Sequence, residues 1–428
     1  RRPCAARHPL FRSTWHRGVV WPATHRRCDA NHNTRCQRTL QEFDQSLRGD
    51  GLNPNPLVSV TVCVRDGEDW VDGCLEALKA QTYRPLEIIG VDDGSTDASK
   101  ERLLKWKDEE GDPSIRVLTQ SAKGLSAGRQ WAVEEARGEW VAITDIDVRP
   151  EPDWIETMVA ETKPIADGES IVAVTGRTVF AHDGDVVSRV RSMEIARKYR
   201  ARPRKTSLAN GPCSMFRRSS LQSIGGFNPD WYHAEDMEVS LRLIEAGGSI
   251  IYAPSAVVNH VPEIERKRFL GKRKRDARAH VRILRHFPRR KRIGPGLDFI
   301  GSSTLVLMVL PLWISALLSG LPFAFKALTM SDWSWAVAQQ WWQTKILLST
   351  ASLMLIHEFI LWRGPLGEVN RGALRAGTFG LKEIWNIRRL TFRWSIALWQ
   401  GLLLGMLDAL RSRNGHRPLF KGFDDKLS

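Results

Sequence analysis

The middle of this 428-residue chain predicts an α/β fold on a parallel sheet, and its last third predicts helices that cross a membrane. Three observations carry that reading. Between Leu57 and Asp147, short apolar runs rich in β-branched residues alternate with stretches of helical periodicity, as in βαβ units. Two of the runs end in paired acids, Asp92-Asp93 and Asp145-Ile146-Asp147. Further on, Phe299 to Phe325 contains no charged residue, a length sufficient to span a bilayer.

Taken in order, Leu57–Val64 is the first strand, followed by the turn Arg65-Asp66-Gly67-Glu68. Helical spacing then runs through Trp70, Val71, Cys74, Leu75 and Leu78. Leu86–Val91 is the second strand, and the polar turn after it supplies N-cap candidates Ser95, Thr96 and Asp97 for a helix over about 98–107. Ile115–Leu118 makes a third strand, and Gly124 opens a helix that ends by Gly138. Val141–Asp147 then reads as a buried parallel strand whose terminal carboxylates, two residues apart, share a face if the extended geometry persists. Ligands bind outside the carboxyl ends of such strands. Two acids there call for compensation by a divalent cation, and hard oxygen ligands suit Mg²⁺ or Mn²⁺, ions that also grip phosphates. A calcium loop is excluded, because Arg149 and Pro150 stand where that loop needs an oxygen ligand and a glycine.

Downstream, Ile171–Val174 and Gly176–Phe180 read as two further strands, and Arg189–Lys205 as a basic stretch that is either a solvated face or a lip meeting phosphate. Glu235-Asp236 opens a helix with apolar positions Met237, Val239, Leu241, Leu243 and Ile244. Carboxylates are favoured at a helix N-terminus on electrostatic grounds alone, so the pair reads equally as capping and as chemistry. The strand around Ile250–Tyr252 leads to His260.

The formal charge of +15 points to an anionic partner: a nucleic acid, a membrane surface or a phosphorylated substrate. Nucleic acid is disfavoured, since the charge lies beside apolar spans and not among stacking aromatics. The six cysteines show no paired spacing, which predicts reduced thiols and no CxxC zinc knuckle. Residues 1–56 are arginine-rich without apolar periodicity and are expected to be a disordered or accessory segment.

The segments VSVTVCVRDGEDWVDGCLEALKAQTYRPLEIIGVDDGSTD, GLSAGRQWAVEEARGEWVAITDIDVRPEPDWIE and GPCSMFRRSSLQSIGGFNPDWYHAEDMEVSLRLIEAGGSIIYAPSAVVNH follow one another in the order of a family 2 glycosyltransferase domain. Residues 57–262 resemble that family, whose domain has the Rossmann-like GT-A fold. The resemblance implies a nucleotide-diphosphate sugar donor, UDP- or GDP-linked, and a Mg²⁺ or Mn²⁺ cofactor. It implies donor contacts for Asp66 (where the family usually has Asn), Asp92, Asp93, Ser95, Arg129 and Asp145, and metal ligation by Asp145, Asp147 and His260. Asp236 matches the general base of an inverting transfer, with Glu235 orienting the acceptor. Arg129 is flanked by Gly128 and Gln130 where the family has Ala and Asn. The Gln-x-x-Arg-Trp motif of processive polysaccharide synthases is missing; Arg393-Trp394 lacks the glutamine. Single-sugar transfer to a lipid-linked or membrane-proximal acceptor is therefore expected. A polyprenyl-phosphate glycosyl synthase is the nearest variant, and an inactive membrane scaffold the non-enzyme alternative.

Residues 263–295 have the composition of a basic amphipathic helix on an anionic membrane surface. In the membrane region, 296–428, two spans are expected, 299–325 and 346–362, the second interrupted by His357-Glu358. The apolar stretch 394–410 is expected to be interfacial or re-entrant, because a third crossing would put the basic tail on the wrong side. Lysine and arginine counting places the catalytic domain on the cytoplasmic face of the cell membrane.

Overall fold

A computed structural model of the chain describes residues 55–107, 111–164, 169–181, 185–231, 233–287, 303–329, 341–375, 377 and 380–411. The expected N-terminal tail and the basic C-terminus lie outside the described residues. What is described begins as a mixed sheet in the order β3-β2-β1-β4-β8-β6-β9-β5. Its first half is parallel: β1 (Val58–Val64) lies between β2 (Leu86–Asp92) and β4 (Trp140–Asp145), with β3 (Ser114–Thr119) outside β2. The second half brings in β8 (Ser214–Arg217) antiparallel to both β4 and β6 (Ile171–Phe180). β9 (Ser249–His260) runs parallel to β6 and carries the short strands β5 (Val148–Pro150) and β7 (Lys205–Thr206) antiparallel to it.

The sheet is covered on both faces, as its apolar strands require. Val58, Val60, Val62 and Val64 pack with Val71, Cys74, Leu75 and Leu78 of α1 (Glu68–Lys79), Leu103 of α2 (Ser99–Lys107) and Trp154, Ile155 and Met158 of α4 (Trp154–Ala160). The opposite face, with Ile89, Val141, Ile143 and Phe216, receives α3 (Leu125–Glu135), α6 (Arg218–Ser223) and α7 (Glu235–Glu245) through Ala132, Val133, Leu221, Val239 and Leu243. The two strands expected at 171–174 and 176–180 are one, β6, with a register irregularity between Thr175 and Arg177. The basic stretch after it is helical from Val186 to Arg200 (α5).

α8 (Arg266–His286) departs from the expected surface helix. Phe269, Ala277, Ala279 and Ile283 are buried in it, and so are Arg273, Arg278 and Arg282. One side meets Trp231, Ala234, Met237 and Leu241 of the sheet domain. Another side meets α13 (Leu381–Leu410), where Phe269 packs edge-to-face on Trp394. A Cβ on Gly401 would sit 2.2 Å from the Lys274 carbonyl oxygen, and one on Gly405 2.8 Å from that of Arg278. Only glycine allows the two backbones this close. The charges that suggested a membrane surface are thus largely spent on internal pairs: Arg278 forks onto Asp408 at 2.6 and 3.0 Å, and Arg273 reaches Asp276 at 2.9 Å.

Three of the remaining helices are long and apolar enough to cross a membrane: residues 304–321, covering α9 (Thr304–Leu307) and the start of α10 (Val309–Thr329), residues 344–363 within α11 (Trp341–Arg363), and α13. The last is a 30-residue helix, longer than the 394–410 segment read from sequence, because amphipathic turns precede its apolar part. It is 44 % buried, against 11 % and 17 % for the other two, since its inner face is taken by α8. The polar interruption of α11 finds internal partners: the His357 ring Nε2 lies 2.7 Å from the Leu305 carbonyl, and Glu358 accepts from Arg388 and Trp362. α12 (Pro365–Arg375) leads from α11 toward α13 and docks on α5 through Leu366 and Val369.

Candidate active site

The site lies at the carboxyl ends of β1, β2 and β4. Arg129 organises it. This arginine, on α3, is 2 % exposed and bridges two elements: Nη1 donates to Glu235 at 2.6 Å and Nη2 to Asp145 at 2.8 Å. Gly211 makes room for it, since a Cβ there would lie 3.0 Å from Nη2. Arg129 with Asp145 and Glu235 therefore forms a buried triad with a net charge of −1. Burial drives the Glu235 carboxyl above the usual range despite Arg129, and neighbouring Asp236 adds to it. Asp145, a third of whose side chain remains exposed, is also pushed up, chiefly by burial and then by Asp147. Both partners hold the Arg129 guanidinium firmly charged against its burial.

Extended geometry does not persist through the acidic pair. β4 ends at Asp145, and Ile146-Asp147 form a turn before β5, so the two carboxylates diverge into different surroundings. Asp147 faces His260 at the end of β9, with Oδ2 3.4 Å from Nε2. Burial keeps this imidazole neutral by lowering its pKa. Its Nδ1 lies 2.8 Å from the Val261 carbonyl, which fixes the tautomer with the proton on Nδ1. The Nε2 lone pair then points at a carboxylate oxygen, an acceptor against an acceptor, and a divalent cation resolves that conflict with its preferred ligands. Asp147 and His260 thus fit a metal. Asp145 gives one oxygen, Oδ1, to Arg129, and among the described residues no set of three such side chains is arranged to hold an ion.

The acids after β1 and β2 are engaged mostly with the neighbouring loops. Asp66 sits in the left-handed region at φ 52°, which Asp tolerates, and accepts from the Thr96 amide at 2.7 Å. Ser95 Oγ accepts from the Asp66 amide, and Asp92 accepts from the Ser95 amide. Asp93, 4 % exposed, takes Gln120 Nε2 and the amides of Lys123 and Gly124 at 2.7–2.9 Å. These contacts tie the loops after β1, β2 and β3 together, without showing free faces of Asp66, Asp92, Asp93 or Ser95 turned to a ligand.

The Glu235-Asp236 pair splits in role. Glu235, expected to orient an acceptor, is 6 % exposed and locked to Arg129. Asp236 is half-buried, with Oδ2 accepting from the Gly211 amide at 3.0 Å and Oδ1 from the Met237 amide at 2.8 Å. Each oxygen keeps a further lone pair, so the carboxylate is held in place and can still accept another hydrogen bond. Ala234, which precedes the pair, is in the left-handed conformation at φ 63°, a strain of about 1–2 kcal/mol for a residue with a Cβ. Sequence reasoning missed Arg268 of α8, which lies over the Trp70 ring at 5.0 Å and reaches within 3.9 Å of Asp147. Its position in a basic run concealed it.

Residues 59–225 match the model of the family described as glycosyl transferase family 2. The chain is 29 % identical to EpsH of Bacillus subtilis over 217 residues, which cover 48 % of the chain and 60 % of EpsH. It is 29 % identical to the glucosyl-dolichyl phosphate glucuronosyltransferase of Haloferax volcanii over 221 residues, 47 % of the chain and 68 % of that protein. Among solved structures, a mannosyltransferase from Pyrobaculum calidifontis in complex with GDP-Man and Mn²⁺ aligns with 87 % of this chain and 96 % of its own, at a TM-score of 0.49 and 21 % identity. Residues 59–225 thus match the glycosyl transferase family 2 model and lie on a mixed α/β sheet, and the described residues that follow include apolar helices of membrane-spanning length.

Proposed function

We propose that the protein is a membrane-anchored glycosyltransferase that moves a single sugar, with inversion, from a UDP- or GDP-linked donor to a lipid-linked or membrane-proximal acceptor. The observation that carries the reading is Asp236, a half-exposed carboxylate fixed by two backbone amides beside the Arg129–Asp145–Glu235 triad. In the reaction the acceptor hydroxyl oxygen forms the new bond to the anomeric carbon. The bond from that carbon to the diphosphate oxygen breaks, and its electron pair leaves with the nucleoside diphosphate. Asp236 receives the hydroxyl proton. Asp147 and His260, with Asp145, would hold Mg²⁺ or Mn²⁺, which when bound offsets charge on the departing diphosphate. Arg129 fixes the relative position of β4 and α7, so the triad sets the distance between donor and base. Pre-organisation of this kind supplies much of the rate.

Support for membrane anchoring comes from the outward faces of α10 and α11, where Trp313, Ile314, Leu317, Leu318, Leu348, Leu353, Leu355 and Phe359 are exposed. A lipid acceptor is suggested by the name of the Haloferax relative. The two-span topology with a cytoplasmic catalytic domain follows from the basic flanks; cleavage of the C-terminal tail from the outer face of oriented vesicles contradicts it. The activity is tested by release of nucleoside diphosphate from a panel of UDP- and GDP-sugars with Mn²⁺ or Mg²⁺ and membrane lipid extract. Turnover of one donor, lost on chelation and in Asp147→Ala, is the expected result. No turnover and no nucleotide binding with any donor favours the scaffold.

A further inference from the structure

The loop that leads into Glu235-Asp236 is held from outside the family-matched segment. Trp231 is 4 % exposed, its carbonyl accepting from Ser126 and its ring lying under the Arg282 guanidinium at 4.2 Å. His286 and Phe287 meet the same ring edge-on at 5.5 and 6.4 Å. Arg282 Nη2 also donates to the His233 carbonyl at 2.9 Å. The His233 ring Nε2 lies 2.8 Å from Asp276, whose other oxygen is paired with Arg273 at 2.9 Å. Apart from Ser126, every one of these partners belongs to α8 or its C-terminal end. They grip the residues just before Ala234, whose left-handed backbone persists only where its surroundings over-determine it.

We propose that Asp276 and Arg282 are positioning residues for the acidic pair. They hold Trp231, His233 and Ala234 in the geometry that aims Asp236, and the Arg278–Asp408 pair with the Gly401 and Gly405 seats ties that geometry to α13. The catalytic loop is thereby set by a helix whose other face rests on a candidate membrane segment. The consequence for rate rests on the reading of Asp236 as base; the structural coupling does not.

Hydrogen–deuterium exchange of the full chain in detergent tests it, comparing wild type with Asp276→Asn, Arg282→Gln and Asp408→Asn. Amides in 231–237 are expected to exchange about tenfold faster in the first two variants and by a smaller factor in Asp408→Asn, with β1 to β4 unchanged. Turnover should fall about tenfold or more in the first two, with donor KM within about twofold, and Asp276→Glu should regain part of the loss. Unaltered exchange in 231–237, or acceleration spread over the whole sheet, overturns the proposal. So does a loosened loop with undiminished turnover. If wild type turns over no donor, the transferase reading fails by itself, and the exchange pattern still decides the coupling.

Discussion

Replacing Arg129 by methionine removes the one cation between two carboxylates while keeping most of the side-chain volume. The Arg129 side chain is 2 % exposed and that of Glu235 8 %, so Glu235 loses its partner without gaining water. Breaking a buried ion pair from one side costs about 3–5 kcal/mol. The lower end applies here, because the Glu235 carboxyl is already displaced toward its neutral form and Asp145 remains partly solvated. At that lower end, about 3 kcal/mol, a domain of this size loses ~6–12 °C in melting temperature. The assay is thermal unfolding of the purified full chain, run as a double-mutant cycle with Glu235→Gln. Removing both charges should be less damaging than the sum of the single changes, with a coupling of about 1–2 kcal/mol. Additivity to within about 0.5 kcal/mol would refute the claim that the triad acts as a unit.

Gly401→Leu should separate α8 from α13 and destabilise the chain by about 1–3 kcal/mol, seen as a lower melting temperature, because a Cβ there meets the Lys274 carbonyl at 2.2 Å. The Cys74 and Cys213 thiols, pushed up to about 12 by burial, should stay unlabelled by iodoacetamide at pH 8 until denaturant is added, since only about one in 10⁴ is then thiolate. Burial works against the charged form of Asp276, yet Arg273 and His233 hold its carboxyl well below the usual 3.8. Its contribution to stability is therefore present above about pH 4 and lost as pH falls below that, so Asp276→Asn should flatten the acid limb of a stability–pH curve.

Much of the fold was legible because its signals are local. The parallel strands β1, β2 and β4 announce themselves as β-branched runs, and each lies within a residue or two of its expected span. Asp145, Asp147, Arg129, Glu235, Asp236 and His260 were all singled out, and five of the six meet in two groups, Arg129 with Asp145 and Glu235, and Asp147 with His260. The partners were not legible. That Glu235 serves Arg129 depends on a contact across 106 residues, which no local pattern encodes. The packing of α8 was hidden for a related reason: composition counts charges but cannot see their counter-charges. Glu194 and Asp408 lie far from Arg273 and Arg278 in sequence, and they help turn a basic run into a buried connector. Likewise His357-Glu358 looked like a break in a span until Leu305 and Arg388 supplied its partners.

The most direct test of the account is the separation of donor binding from transfer in Asp236→Asn, in membranes supplied with acceptor lipid. The substitution preserves shape and the Gly211 contact while abolishing basicity. The account predicts nucleotide-sugar affinity within about twofold of wild type and transfer reduced by a factor of about 10² or more. Transfer near the wild-type rate would show that this carboxylate does not take the acceptor's proton, and the assignment of the site would fall with it.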